Sequence, residues 1–219
     1  GVLKCMHNSL IEMEIKEDLN FKSILTITRQ TTIPSAAMSS ENVCIAWIKD
    51  TLDRYVVYRV NAQLFDNHGN RIGDKFQVND HTEEYYESTG RHNPSIAMSP
   101  TGKSVIAWQN YKQREQRDDI FAQLLDNNGN KIGSEFQVNS YTKDNQTLPS
   151  VAMSPEGNFV VTWESWGQDG YGQGIYAQLF DPNGNKVGNE FQVNNHTEYG
   201  QTSPSVAISS NRDFLIAWE

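Results

Sequence analysis

The residues best suited to contact a ligand lie in segments with few apolar neighbours. Trp166 and Tyr171 flank Asp169 in the glycine-rich stretch SWGQDGYGQG, and Tyr85, Tyr86, Arg91 and Tyr111 occupy comparable segments upstream. An aromatic ring in such a setting either packs over its own loop or stacks on a sugar or protein ligand, with nearby amides and carboxylates supplying hydrogen bonds. Covalent chemistry is harder to find. There is no G-x-S-x-G turn to expose a nucleophile, no H-E-x-x-H pair to hold zinc and no phosphate-cradling loop. The carboxylates Asp118 and Asp119, or Glu83 and Glu84, are sequence neighbours, which in a strand point to opposite faces and in a loop are solvated. No catalytic residue, metal ligand or cofactor is therefore expected, and the chain reads as a non-enzyme.

Two further sets invite a metal and have simpler explanations. The turns Asp66 to Asn70, Asp126 to Asn130 and Asp181 to Asn185 place oxygen-bearing side chains at alternate positions. A calcium loop of the EF-hand kind needs its glycine sixth and a bidentate glutamate twelfth, whereas Asx-Gly hairpin turns account for the same residues without an ion. His81 and His196 follow FQVN and are replaced by Tyr141 in another copy, which points to a shared packing or hydrogen-bonding role. Cys44 aligns with Val105, Val160 and Leu215 and reads as a buried apolar residue, and with Cys5 it makes too few thiols for a disulfide framework.

What must position these residues is a repeat. PSVAMSPEGNFVVTW followed by GIYAQLFDPNGNKVGNEFQVN recurs upstream as PSIAMSPTGKSVIAW with IFAQLLDNNGNKIGSEFQVN, and as PSAAMSSENVCIAW with VNAQLFDNHGNRIGDKFQVN. Pro94, Pro149 and Pro204 are 55 residues apart, and Pro34 precedes Pro94 by 60. Such a period means like units that bury their apolar faces only against one another. Each unit holds four short apolar runs bounded by turn residues, A (SVAMS), B (FVVTW), C (IYAQLF) and D (EFQVN), so it is a four-stranded antiparallel meander. Meanders repeated along a chain are the blades of a β-propeller. Trp47, Trp108, Trp163 and Trp218 close every strand B and are expected in the core.

The copies predict an all-β fold of one domain over residues 1–219, with blades at about 34–79, 94–139 and 149–194 and a fourth assembled from 10–30 and 204–219. Sharing a blade between the ends removes open sheet edges. A closed four-bladed monomer is the leading reading, with an eight-bladed ring of two chains, or an array cut from a longer propeller, as alternatives. Short, constant A–B and C–D turns fall on one face of the disc, and the variable B–C and D–A segments on the other. Variable loops on a rigid scaffold are where binding residues collect, so that face is the expected site. The A strands carry no acidic residue, so a water or ion held by carbonyls is the expected plug of the axis.

A net charge of −9 and a pI near 5.0, with no run of Lys or Arg, argue against nucleic acid, and no apolar stretch is long enough to cross a bilayer as a helix. The repeat resembles the roughly 50-residue propeller-type repeats of large secreted or surface-attached bacterial proteins, over nearly the whole chain from about residue 10. That resemblance implies a β-propeller with a binding role, extracellular or at the cell surface, and brings no catalytic residues. Lectin-like recognition of a glycan is the leading function, a protein-interaction scaffold the second and a glycan hydrolase the third.

Overall fold

The computed structural model describes residues 34–50, 56–80, 84–85, 93–112 and 115–219, together with two strands at 11–14 and 24–27. Its first full blade comprises β3 (Ser35–Met38), β4 (Asn42–Asp50), β5 (Val56–Asp66) and β6 (Arg71–Gln77), with a two-residue strand β7 (Glu84–Tyr85) returning to pair with the start of β5. β8 (Ser95–Met98), β9 (Ser104–Lys112), β10 (Arg117–Leu125) and β11 (Lys131–Gln137) form the second. The third is β12 (Gln146–Met153), β13 (Phe159–Trp166), β14 (Gln173–Phe180) and β15 (Lys186–Gln192). β16 (Ser205–Ile208) pairs with β17 (Phe214–Ala217), and β1 (Ile11–Glu14) pairs with β2 (Ile24–Ile27), each as its own two-stranded antiparallel sheet. The blade count of four fits, with β16 and β17 as half of the fourth.

The core lies between blades, because each sheet has two apolar faces. One face of β9 and β10 offers Val105, Ala107, Ile120 and Leu124, which pack on Val151, Phe159 and Trp163 of the third blade. The other turns Ile106 and Trp108 against Cys44, Ala46 and Leu64 of the first. Trp108 and Trp163 are buried as expected, and Phe159 stacks on Phe180 with centroids 4.7 Å apart. Cys44 is buried too, and its thiol is pushed up to about 12 by that burial, which makes it an inert filler. Trp47 is only half-buried, and Trp218 departs furthest from the expectation, at 41% exposed beside an exposed Leu215. In the second and third blades a C strand covers the outer edge of strand B, while among the described residues no strand pairs with the outer edge of β17.

Two polar devices recur at the inner and outer ends of the meander. At the axis, Ile96 N–H donates to Ser35 Oγ (3.2 Å), Val151 N–H to Ser95 Oγ (3.1 Å) and Val206 N–H to Ser150 Oγ (3.2 Å). The serine after each anchor proline thus ties its A strand to the next. Where strand D ends, Asn79, Asn139 and Asn194 are almost fully buried, and their Oδ1 atoms accept from the N–H of Val60, Ile120 and Ile175 at 2.9, 2.8 and 2.8 Å. Asn139 and Asn194 also donate through Nδ2 to the carbonyls of Tyr141 and His196 (both 2.8 Å). The exchange of His for Tyr at this position is explained: the backbone carbonyl does the work, so the ring is free to vary. His81 lies outside the described residues. Truncating such an asparagine would orphan a buried N–H, at a cost of about 1–3 kcal/mol.

Strands C and D carry a bulge in every full blade, between Ala62 and Leu64, Ala122 and Leu124, and Ala177 and Leu179. The glutamine at each bulge, such as Gln123, donates Nε2 to the carbonyls of Leu124, Ile132 and Gly133. Its opposing glycine, Gly73, Gly133 or Gly188, has φ of 64°, 67° or 71°, a conformation that side chains resist. The AQL and IG or VG signatures of the repeat are this bulge.

A fourth blade closed through both hairpins requires β1 to run along β17. Deleting residues 1–30 is expected to leave the β17 edge open, so that the shortened chain self-associates in sedimentation velocity and melts below the parent. A deletion that stays monomeric with an unchanged melting midpoint would rule out that closure.

Candidate functional site

The two faces of the disc divide as the strand parity requires. On the constant face, Asp66, Asp126 and Asp181 each accept two backbone N–H groups and one asparagine amide within their own turn, at 2.8–2.9 Å. The carboxyls of Asp66 and Asp181 are held below the usual range, first by the amide of Asn70 or Asn185 and then by the backbone. These turns are structural: their oxygens are already occupied by the chain. Neighbouring blades meet there, with Asn42 Nδ2 donating to Asn127 O at 3.0 Å and Lys103 Nζ donating to Pro182 O.

On the variable face, much of what reads as loop in the sequence is strand. β9 and β10 stay paired out to Lys112 and Arg117, and β13 and β14 out to Trp166 and Gln173. Trp166 is therefore the last residue of a strand and not part of the glycine-rich loop. Its ring is 44% exposed, while Trp163, three residues earlier, is wholly buried. Beyond it the chain turns tightly, with Gly167 N–H donating to Gly172 O (2.6 Å) and Gly170 N–H to Gly167 O (3.2 Å). Tyr171 projects from this turn at 67% exposure.

The expected cluster is divided by the hairpin. Asp169 accepts from Tyr171 N–H at 3.0 Å, but its Oδ2 is buried and lies 2.8 Å from where a Cβ on Gly174 would stand. Gly174 sits opposite Ser165, whereas Trp166 sits opposite Gln173, so Asp169 is tucked under the other side of the ribbon from the indole. There it belongs with Tyr176, whose hydroxyl is pushed up to about 12 by burial and then by the charges of Asp169, Glu190 and Tyr141. Glu190 accepts the N–H groups of Ser140 and Tyr141 and the Gln168 amide, fastening the loop before the third blade. Tyr111 is half-buried on β9, opposite Asp118. Tyr85 has its backbone in β7, and Tyr86 and Arg91 lie outside the described residues.

Three acids stand out beside these: Asp118 and Asp119, which the sequence shows only as neighbours, and Glu164. Asp118 donates its N–H to Asn145 Oδ1 (3.0 Å), and the carbonyl of Asn145 accepts from Trp166 N–H (3.0 Å), so one residue of the D–A segment joins the second and third blades. The Asp118 carboxyl is pushed up to about 6, chiefly by burial, against a Gln109 hydrogen bond that lowers it and with Asp119 adding to the rise. Its Oδ1 is buried without a partner. Asp119 faces the other way, in ion pairs with Lys112 (2.8 Å) and Arg117 (3.5 Å) and accepting from Asn139 Nδ2 (2.7 Å). The two adjacent acids thus point to opposite faces. Glu164 is the third polar residue. It accepts from Ser203 N–H (2.7 Å) and Thr147 Oγ1 (3.2 Å), and burial raises its carboxyl. Ser203 and Leu148 precede anchor prolines with φ of 58° and 50°, and Glu164 serves to pin that strained entry into β16.

No family model and no curated protein matches this sequence. Among solved structures, a protein of unknown function from Dyadobacter fermentans DSM 18053 superposes with a TM-score of 0.58 over 90% of this chain at 11% identity, and this chain spans 60% of its length. The chain is a β-propeller. An endo-arabinase from Bacteroides thetaiotaomicron VPI-5482 is similar at a TM-score of 0.49 and 13% identity, covering 93% of this propeller and 72% of that chain. A thermostable family-43 glycoside hydrolase aligns at 0.39 and 9% identity, over 84% of this chain and 82% of its own. The expectation of a non-enzyme is corrected: these likenesses to glycoside hydrolases concern the fold alone, and the lack of a nucleophile motif among sequence neighbours does not exclude catalysis. The physical reason is that a propeller gathers side chains from different blades, which a scan for adjacent carboxylates cannot see.

The raised Asp118 carboxyl has a definite sign. Its folded-state value of about 6 lies above its ordinary 3.8, so the fold favours the protonated form and loses stability as pH rises from about 4 through 6. Asp118→Asn, which copies the protonated acid, is expected to melt with the parent at pH 4 and above it at pH 7.5. Equal midpoints at both pH values in differential scanning calorimetry would show the carboxyl to be unshifted.

Proposed function

We propose that the chain engages carbohydrate through its variable face, outside the cell or at its surface. The observation that carries this reading is the exposed indole of Trp166, fixed at the end of a paired strand while every described neighbour of its kind within the full blades is at least half-buried. A rigid, exposed ring loses little entropy when a sugar stacks on it. Gln173 directly opposite Trp166, and the Tyr171 ring on the same hairpin, supply the hydrogen-bonding and apolar contacts a pyranose or furanose face needs. The propeller likeness to an endo-arabinase concerns the fold alone.

Affinity gel electrophoresis and calorimetry against arabinan, xylan and mannan test the reading. Trp166→Ala is expected to weaken binding by about thirtyfold, the equivalent of about 2 kcal/mol for an aromatic hot spot, with an unchanged melting midpoint. Trp163→Ala, in the wholly buried position, is expected to cost about 3–5 kcal/mol of stability. Release of reducing ends from the same samples separates hydrolysis from binding alone. If none of the three polysaccharides is retained, or Trp166→Ala binds as the parent does, carbohydrate recognition by this face is wrong.

A further inference from the structure

The seam between the third and fourth blades differs from the one before it at the residue that meets strand C. The two D–A segments enter their blades as NQTLP from Asn145 and as GQTSP from Gly200, and the glutamine of each, Gln146 or Gln201, is buried. At the earlier seam Asn145 fills the space against the start of β10, its Oδ1 accepting from Asp118 N–H at 3.0 Å. At the later seam Gly200 stands in that place. A Cβ on Gly200 would collide with Gln173 Oε1, so the missing side chain is what lets Gln173, the counterpart of Asp118, lie in the seam.

Trp166 faces the same seam. The ladder between β13 and β14 is unbroken from Phe159 to Trp166, so Trp166 and Gln173 lie on the side of the ribbon where Val160 and Ala177 pack against Val206 and Ile216. Glu164, on that same row, reaches across to Ser203 N–H, and Gln173 O accepts from Gln201 N–H at 2.9 Å. The entry segment is thus held against the rung that carries the indole. Next to Gly200 on that segment is Tyr199, 79% exposed and with a φ of 65°. A tyrosine resists this left-handed backbone, which glycine or asparagine adopts at less cost, and so exposed a ring returns little to the fold. The conformation is fixed from beneath: the buried Gln201 donates Nε2 to the carbonyls of Glu198 (3.1 Å) and Tyr199 (2.6 Å), and its Oε1 accepts from Asn194 Nδ2 (2.9 Å). Backbone strain that the surroundings enforce, and that presents a ring to solvent, points to a contact residue.

We propose that the seam between the third and fourth blades is the sugar subsite of the variable face, with Tyr199 a second stacking ring beside Trp166 and the half-buried Gln173 taking sugar hydroxyls between them. This rests on the carbohydrate reading given above and names where on that face the glycan lies. A glycan chain laid across the seam touches both blades at once, on two rings whose backbones are already fixed, one by a strand ladder and the other by Gln201. Little ordering is then left for the ligand to impose. The seam before it is closed to this use, because Asn145 occupies the place that Gly200 leaves open.

Isothermal titration with arabinotetraose, xylotetraose and mannotetraose, alongside the parent polysaccharides, tests this when melting midpoints are measured on the same samples. For whichever of these binds, Tyr199→Ala is expected to weaken affinity by about tenfold or more. Tyr199→Asn, which suits the left-handed backbone, should lose affinity to the same degree and melt above the parent, a combination that a tyrosine serving only the fold would not give. Gly200→Asn, which copies the earlier seam, should displace the Gln173 side chain and weaken binding by about tenfold as well, with a cooperative melt. If Trp166→Ala weakens binding while Tyr199→Asn and Gly200→Asn bind as the parent does, the seam assignment is overturned and the carbohydrate reading stands. A Tyr199→Asn chain that melts below the parent would also overturn the assignment, by showing the ring to be part of the fold. Absence of binding to the tetrasaccharides and the polysaccharides alike would overturn both.

Discussion

The inner ring of hydroxyl contacts is the constraint on which the rest of the disc depends. Each A strand is only four residues long in the first, second and fourth blades, too short for its own ladder to set its angle to its neighbour. The serine after the proline supplies the missing restraint: it accepts the N–H of the next A strand, an atom whose intrablade partner would lie on the wrong side. Because the contact joins side chain to backbone, it fixes both the spacing and the rotation between consecutive blades. The apolar residues between the sheets then fill a wedge whose dimensions are already set, which is why Trp108 and Trp163 can recur unchanged.

Farther out, the buried asparagines separate what is constant from what varies. Each ends strand D by binding the C strand through its carbonyl oxygen, and two of them turn the following segment by binding a backbone carbonyl with the amide. Apart from the Gln201 side chain, which Asn194 also reaches at 2.9 Å, this arrangement does not read the side chains that follow. The D–A segments are therefore anchored at their first residue whatever their composition, and can differ in length and charge without disturbing the sheet. The B–C ribbons gain the same freedom by another route, extending as paired strands whose backbone bonds are indifferent to sequence. Variation on one face and constancy on the other have a common cause.

Much of this architecture was legible in the chain. The four runs per copy, the hairpin turns and the division between faces follow from periodicity and from glycine placement, and the structure agrees with them. The polar devices were not legible in the same way, because Ser35, Asn139 or Gln123 looks like any conserved spacing in a repeat until its partner across the chain is known. Trp218 was misjudged for a related reason: its place in the copy implies burial, but burial depends on a cover strand that the repeat supplies elsewhere. At the site, Trp166 and Tyr171 could be picked out by type, while Asp169 could not be assigned to the underside of its ribbon. Asp118 was hidden by its neighbour, since two adjacent acids look equivalent until one is found paired with Lys112 and Asn139 and the other is not.

The glycine of each C–D turn shows a direction in the assembly. Gly129, at a φ of 85°, rests on Leu64 and Phe76 of the blade before it, and Gly184 rests in the same way on Leu124 and Phe136. Glu135 and Glu190 likewise reach back, to the N–H groups of Asp80 and of Ser140 and Tyr141. Every blade thus has a leading side and a trailing side that fit each other and neither of which fits itself. This is a head-to-tail relation, which closes into a ring when the rotation per unit completes a turn and otherwise propagates as a helix. The angle between blades, and not the strength with which they adhere, is what keeps such a polymer of blades finite.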